Sequence, residues 1–166
     1  IFSILSLSVS AQKPTKAEKA AQLEQEFQQT RQLIESNHFQ FELNRVYPQD
    51  GQDLSRFNPR GKFVITDSVA KGTLPFFGRA YSLPYGEGGG IEFDGVMKDQ
   101  SLKIEHKKKR KILIYRFSIT AKNDTYQISM EISGGGNCSV NLNSNNRAQI
   151  SYSGTVSPVK DETGKS

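Results

Sequence analysis

Leu23, Phe27 and Ile34, with Thr30 between them, recur at three- and four-residue intervals among Gln, Glu, Lys and Arg. That period predicts one amphipathic helix over residues 13–36 with a single narrow apolar stripe. Thr15 followed by Glu18 is a capping-box pair, in which hydroxyl and carboxylate each satisfy an orphan amide of the first turn. Asn37 suits the stop, because a short polar side chain tolerates the left-handed backbone that ends a helix. So narrow a stripe must lie on something, and the chain's own domain is the simplest partner.

From His38 onward the period changes to 2 and stays there. Phe39, Phe41 and Leu43 alternate with Gln40, Glu42 and Asn44, and residues 48–61 form a polar turn region. Phe63 and Ile65 open a second strand. Leu74 to Leu83 reads as one strand broken near Pro75 and Gly78, or as two short ones, since proline donates nothing to a ladder. Beyond the Gly88–Gly90 turn come Ile91 and Phe93, then Leu102 and Ile104. Leu113, Tyr115, Phe117 and Ile119 mark one face of the next strand, whose other face carries Ile112 and Ile114 before turning polar at Arg116 and Ser118. Tyr126 to Ile132, Cys138 to Leu142, and Ile150 with Tyr152 complete the series, Gly154 closing the last strand.

The pattern predicts a mainly β fold: an N-terminal α-helix followed by an antiparallel β-barrel or sandwich of eight to nine strands, lipocalin-like in general shape. A barrel of about eight strands is wide enough to hold one small ligand. The segments are residues 1–11, a leader; 12–37, the helix packing on the domain; 38–156, the β domain; and 157–166, a polar tail. At 166 residues the chain has the length of one domain. It contains no Trp, so aromatic burial falls to ten Phe and six Tyr.

Residues 1–11 read as the tail of a secretory signal peptide. Ile1 to Val9 is apolar and Ser-rich, and Val9-Ser10-Ala11 offers small residues for cleavage between Ala11 and Gln12. A periplasmic or secreted protein is expected. No later run approaches the ~20 apolar residues of a membrane-spanning helix. Cys138 is the sole cysteine, so no intrachain disulfide forms. Its alternation with Val140 and Leu142 marks it as a small buried hydrophobe rather than a catalytic thiol.

The Gly72–Gly95 stretch, GTLPFFGRAYSLPYGEGGGIEFDG, is the most distinctive part of the chain. Phe76, Phe77, Arg79, Tyr81 and Tyr85 are its candidate ligand-binding residues, with aromatics for apolar surface and Arg79 for an anionic group. The bland alternative makes the Phe residues core and Arg79 solvated. Glu87, Glu92 and Asp94 have no partner base and read as solvated charges. The glycines lack the Lys-Ser/Thr and following helix of a phosphate loop. His38 and His106 are isolated, so no metal and no cofactor are expected.

Lys107, Lys108, Lys109, Arg110 and Lys111 form a basic turn between two strands, able to meet an anionic surface but equally suited to keeping strand edges apart. No aromatics interleave within it, and nucleic acid is not expected. Two readings follow: a non-enzymatic binding module for a small apolar or lipid-like ligand, or an envelope interaction or structural protein acting through the basic turn or a sheet edge. A hydrolase lacks a nucleophile–base motif.

LPFFGRAY (Leu74 to Tyr81), GGIEF (Gly89 to Phe93) and NRAQISYSG (Asn146 to Gly154), behind a leader and a short helix, resemble the bacterial domain-of-unknown-function family 4251, found mainly in Bacteroidetes. The resemblance covers nearly the whole mature chain. It implies a periplasmic or envelope location in a Gram-negative cell and assigns no activity and no catalytic residue.

Overall fold

The computed structural model describes residues 13–52, 54–78, 80, 89–121 and 124–160. Residues 1–12, expected to include a leader, and Arg79, Tyr81 and Tyr85 lie outside the described residues. Helix α1 (Lys16–Glu35) is capped as its sequence dictates: the Glu18 amide donates to Thr15 Oγ1 at 3.2 Å, and the Thr15 amide donates to Glu18 Oε2 at 2.7 Å. Asn37 stops it with a left-handed φ of 49°. The chain then turns directly into a strand.

Nine strands follow: β1 (His38–Pro48), β2 (Lys62–Thr66), β3 (Val69–Leu74), β4 (Ile91–Val96), β5 (Lys98–Lys107), β6 (Arg110–Thr120), β7 (Thr125–Ser133), β8 (Asn137–Ser144) and β9 (Ile150–Pro158). They form one antiparallel sheet in the order β4-β3-β2-β1-β9-β8-β7-β6-β5. Consecutive strands therefore pair except for β4 and β5, between which the ladder opens, and β1 closes on β9. The sheet curls strongly into a half-barrel rather than splitting into a sandwich. The curl brings β4 back toward β6: Gly95 lies against Thr120 and Ile119, and the rings of Phe93 and Tyr126 are 6.4 Å apart. Only Met97 separates β4 from β5, so the chain passes from one end of the sheet to the other in a single step.

The concave face holds the core. Phe39, Phe41, Phe63, Ile65, Leu74, Ile91, Leu113, Ile119, Ile128 and Tyr152 are buried there, with Phe41 and Phe63 stacked at 5.1 Å. Helix α1 packs on β1 and β6 and contributes Phe27, Thr30 and Ile34. Lys111 ties it down, its ammonium 2.8 Å from Glu24 Oε2 and 5.6 Å from the Phe27 ring centre.

The structure departs from the periodicity at several places. Leu23, on the expected apolar stripe, is 62% exposed, because the first turns of the helix are exposed all round and only its later stripe, Phe27, Thr30 and Ile34, meets the core. Of the strand expected over Leu74 to Leu83, Leu74 is the last residue of β3, Pro75 to Gly78 are irregular, and Tyr81 to Leu83 lie outside the described residues. Strand β3 starts at Val69, where the Asp67–Ser68 turn makes a hairpin with β2, and Pro75 stops it. Gly154 does not close the last strand. β9 runs on to Pro158, paired with β1, and buries Val156. Ile112 and Ile114 sit on the convex face yet are 8% and 3% exposed. Lys103 and Glu131 are the cross-strand neighbours of Ile114 and Glu105 is one of those of Ile112, and side chains of this kind lay their aliphatic stems on apolar surface.

Candidate functional site

Buried side chains occupy the interior, and a large hollow lies outside it. It is a groove of about 910 Å³ across the convex face of β2, β3 and β4, reaching Glu42 and Leu43 of β1 and Arg60 and Gly61 before β2. Strand alternation builds it. Phe63, Ile65, Ala70 and Leu74 point inward, so Lys62, Val64, Thr66, Val69, Lys71 and Thr73 point out. Val64 and Val69 supply apolar floor, and charges form the rim. Lys71 meets Asp94 at 2.9 Å, and this hydrogen bond raises the lysine pKa above its ordinary value. Glu42 takes Lys160 Nζ at 3.0 Å. Arg60 has no ion-pair partner among the described residues.

A second feature lies at the loop end of the half-barrel, where the three distinctive sequence stretches meet. Arg147 is 6% exposed. Its guanidinium stands 5.1 Å from the Phe76 ring centre, and one terminal nitrogen donates to the Gly89 carbonyl at 3.4 Å. Its Nε is buried without a hydrogen-bond partner among the described residues, 3.9 Å from Asp124 Oδ2. Asp124 is held in turn by Ser144 Oγ at 2.5 Å and the Thr125 amide at 2.8 Å. Ala80 forms a single β-bridge with Arg147. Tyr152 donates to the Pro75 carbonyl at 2.8 Å, and burial pushes its phenol pKa well up. A buried cation, carboxylate and phenol thus lock both ends of the β3–β4 connection onto β9. The residues are committed to one another, which is the geometry of a clasp.

Phe76 is half-buried beneath Arg147, and Phe77 is exposed at the surface. Neither lines the groove. Lys107 to Lys111 form the β5–β6 hairpin, as the charge run suggested, with Lys108 at φ 56° in its turn. Lys107 pairs with Glu131 at 2.6 Å and Lys111 with Glu24, leaving Lys108, Lys109 and Arg110 at the tip. His106 is exposed despite its inward parity. Cys138 is buried, and burial raises its thiol pKa far above the ordinary range. Among the described residues no three His, Cys, Asp or Glu side chains gather in a way that could hold a metal. No helix there is long and apolar enough to cross a membrane.

Periodicity missed the groove, because it is made by three strands side by side rather than by any one of them. It also gives no sign of Arg147 and Asp124, which lie between strands rather than within them. The signal available was a lone Arg inside NRAQISYSG, directly before a strictly alternating strand.

The family model of the domain of unknown function DUF4251 matches residues 21–156, and the chain belongs to this family. No curated protein matches it. The fold is similar to the crystal structure of a DUF4251 family protein from Bacteroides eggerthii DSM 20697, with a TM-score of 0.57 and 22% identity over 83% of this chain and 91% of that one.

Proposed function

We propose that this member of the family is an exported, non-enzymatic binding module of the cell envelope, and that its ligand lies in the convex groove rather than inside the half-barrel. One observation carries the reading: the interior is packed with rings and aliphatic side chains, while a groove of about 910 Å³ stays open on β2–β4. That volume is within the range of small-molecule sites, roughly 300–1,000 Å³. Val64 and Val69 would take the apolar part of a small or lipid-like molecule. Arg60, free of an ion pair among the described residues, would take an anionic head through its planar fork of donors. Export is supported by the apolar run Ile1 to Val9 and the small residues after it.

Native mass spectrometry of the protein recovered from the envelope fraction of the producing cell tests this. The expected result is an N-terminus at Gln12 and a bound mass that is lost in Val64→Asp and Arg60→Glu but retained in Phe77→Ala. A bare protein mass would overturn the carrier reading. Loss of the bound mass in Phe77→Ala alone would move the site to the β3–β4 connection.

A further inference from the structure

One segment at a sheet edge carries an excess of cations, three of them on the edge strand β5 and four at the hairpin turn and the start of β6. The protein carries +5, and Lys98 to Lys111 alone hold seven cations against Asp99 and Glu105, which is also +5. This segment is β5 and the turn into β6. Strand β5 is the last in the sheet and pairs with β6 on one side only. All its residues except Ser101 and Leu102 are exposed. From Ser101 to Lys107 its pairing with β6 is continuous, so a regular stretch of backbone donors and acceptors without a strand partner among the described residues faces out along the free side. Ile104, 41% exposed, sits in the middle of that stretch.

We propose that this edge docks an extended acidic segment of a partner protein, which adds to β5 as a further strand. Strand addition draws its affinity from main-chain hydrogen bonds and its selectivity from side chains at alternate positions. Here the selecting side chains are cationic. Lys98, Lys103, Lys108, Lys109 and Arg110 have no ion-pair partner among the described residues, whereas Lys107 and Lys111 are occupied by Glu131 and Glu24. Lysines on an edge commonly serve to keep two copies of a sheet apart. The same charges that repel a second copy of β5 attract a carboxylate-rich strand, so both effects select the acidic partner. The unpaired cations, Lys98 and Lys103 on β5 and Lys108, Lys109 and Arg110 at the tip, outnumber the two exposed carboxylates Asp99 and Glu105, and the free backbone of β5 matches an extended chain better than a point contact at the tip.

The test uses the full chain and a fluorescein-labelled peptide of alternating Glu and Thr, with the Gln–Thr peptide as control and vesicles of phosphatidylglycerol as a competing anionic surface. Fluorescence anisotropy should show binding of the Glu peptide that weakens with salt and falls at least roughly tenfold in the K103E/K109E variant. Hydrogen exchange should slow at Lys98 to Lys107 when the peptide is bound. Circular dichroism of the variant should be unchanged, since both substituted side chains are exposed. Equal binding of the Gln peptide would overturn the proposal, as would protection elsewhere than β5. Binding to the vesicles without binding to the Glu peptide would overturn it too, and would reassign these cations to a membrane surface.

Discussion

The Tyr152 hydroxyl donates to the Pro75 carbonyl across 2.8 Å, joining β9 to the end of β3 over 77 positions of sequence. Tyr152 is 1% exposed, so loss of its hydroxyl leaves a carbonyl short of a partner in a poorly hydrated place. Tyr152→Phe should lower the unfolding free energy by about 1–2 kcal/mol, read from the shift of the urea midpoint at constant slope.

Arg147 and Asp124 should behave as a coupled pair. Removing one charge strands the other in the interior, which costs about 3–5 kcal/mol, whereas removing both spares that penalty. Arg147→Met and Asp124→Asn should each be strongly destabilising, and the double variant should be less destabilised than the two single losses added together. Additive losses in the double-mutant cycle would show that the pair does not interact.

Gly72 is required by its neighbour in β2. A Cβ at this position would overlap Phe63 Cβ, and the overlap involves the backbone of both strands rather than a flexible side-chain end. Gly72→Ala should cost roughly 1–3 kcal/mol by overpacking. Because Gly72 also lines the groove, ligand binding should weaken in the same variant if the strands separate. Chemical denaturation and the native mass spectrum measure the two effects separately.

Stability should fall in alkali. Burial pushes the Tyr115 phenol up to about 12 from its ordinary value of 10. The native state thus holds this proton more tightly than the unfolded chain does. The resulting stabilisation is complete below about pH 10 and disappears as pH rises through about 12. Its full size is roughly 2–3 kcal/mol at about 1.4 kcal/mol per unit. Tyr152, also raised by burial, adds to the same decline. Urea midpoints measured across this range should drop less steeply in Tyr115→Phe than in the parent.

Cys138 should be inert in the native protein. Burial opposes formation of its thiolate, the form that attacks a disulfide reagent. Labelling by a chromogenic aromatic disulfide should require unfolding and should speed up with urea in step with the unfolding equilibrium. Rapid labelling of the folded chain would show that the β8 ladder opens locally at this position.

Local physics determined much of this protein directly from its residues. A capping box needs only Thr15 and Glu18 three positions apart, and a left-handed stop needs only Asn37, so both ends of the helix were legible. Side-chain alternation has a period of 2 wherever one face of a strand is buried. The inward sets Phe39–Phe41, Leu113–Ile119 and Tyr126–Ile132 could therefore be read without knowledge of their partners. The basic hairpin was equally plain, because its charges are contiguous.

Tertiary structure decided what depends on how far the sheet curls and on which strands become neighbours. Periodicity alone is the same for a sandwich and a barrel. The closure of β1 on β9, and the return of β4 toward β6, select the half-barrel. The exposure of Leu23 depends on how much of the helix meets the sheet, and the burial of Ile112 and Ile114 depends on the long side chains that β5 and β7 bring beside them. The ionic clasp of Arg147 and Asp124 joins two segments that each read as a polar turn. The groove and the free edge are likewise relations between strands. Buried charges and docking surfaces arise from long-range proximity, to which a local hydrophobic pattern is blind.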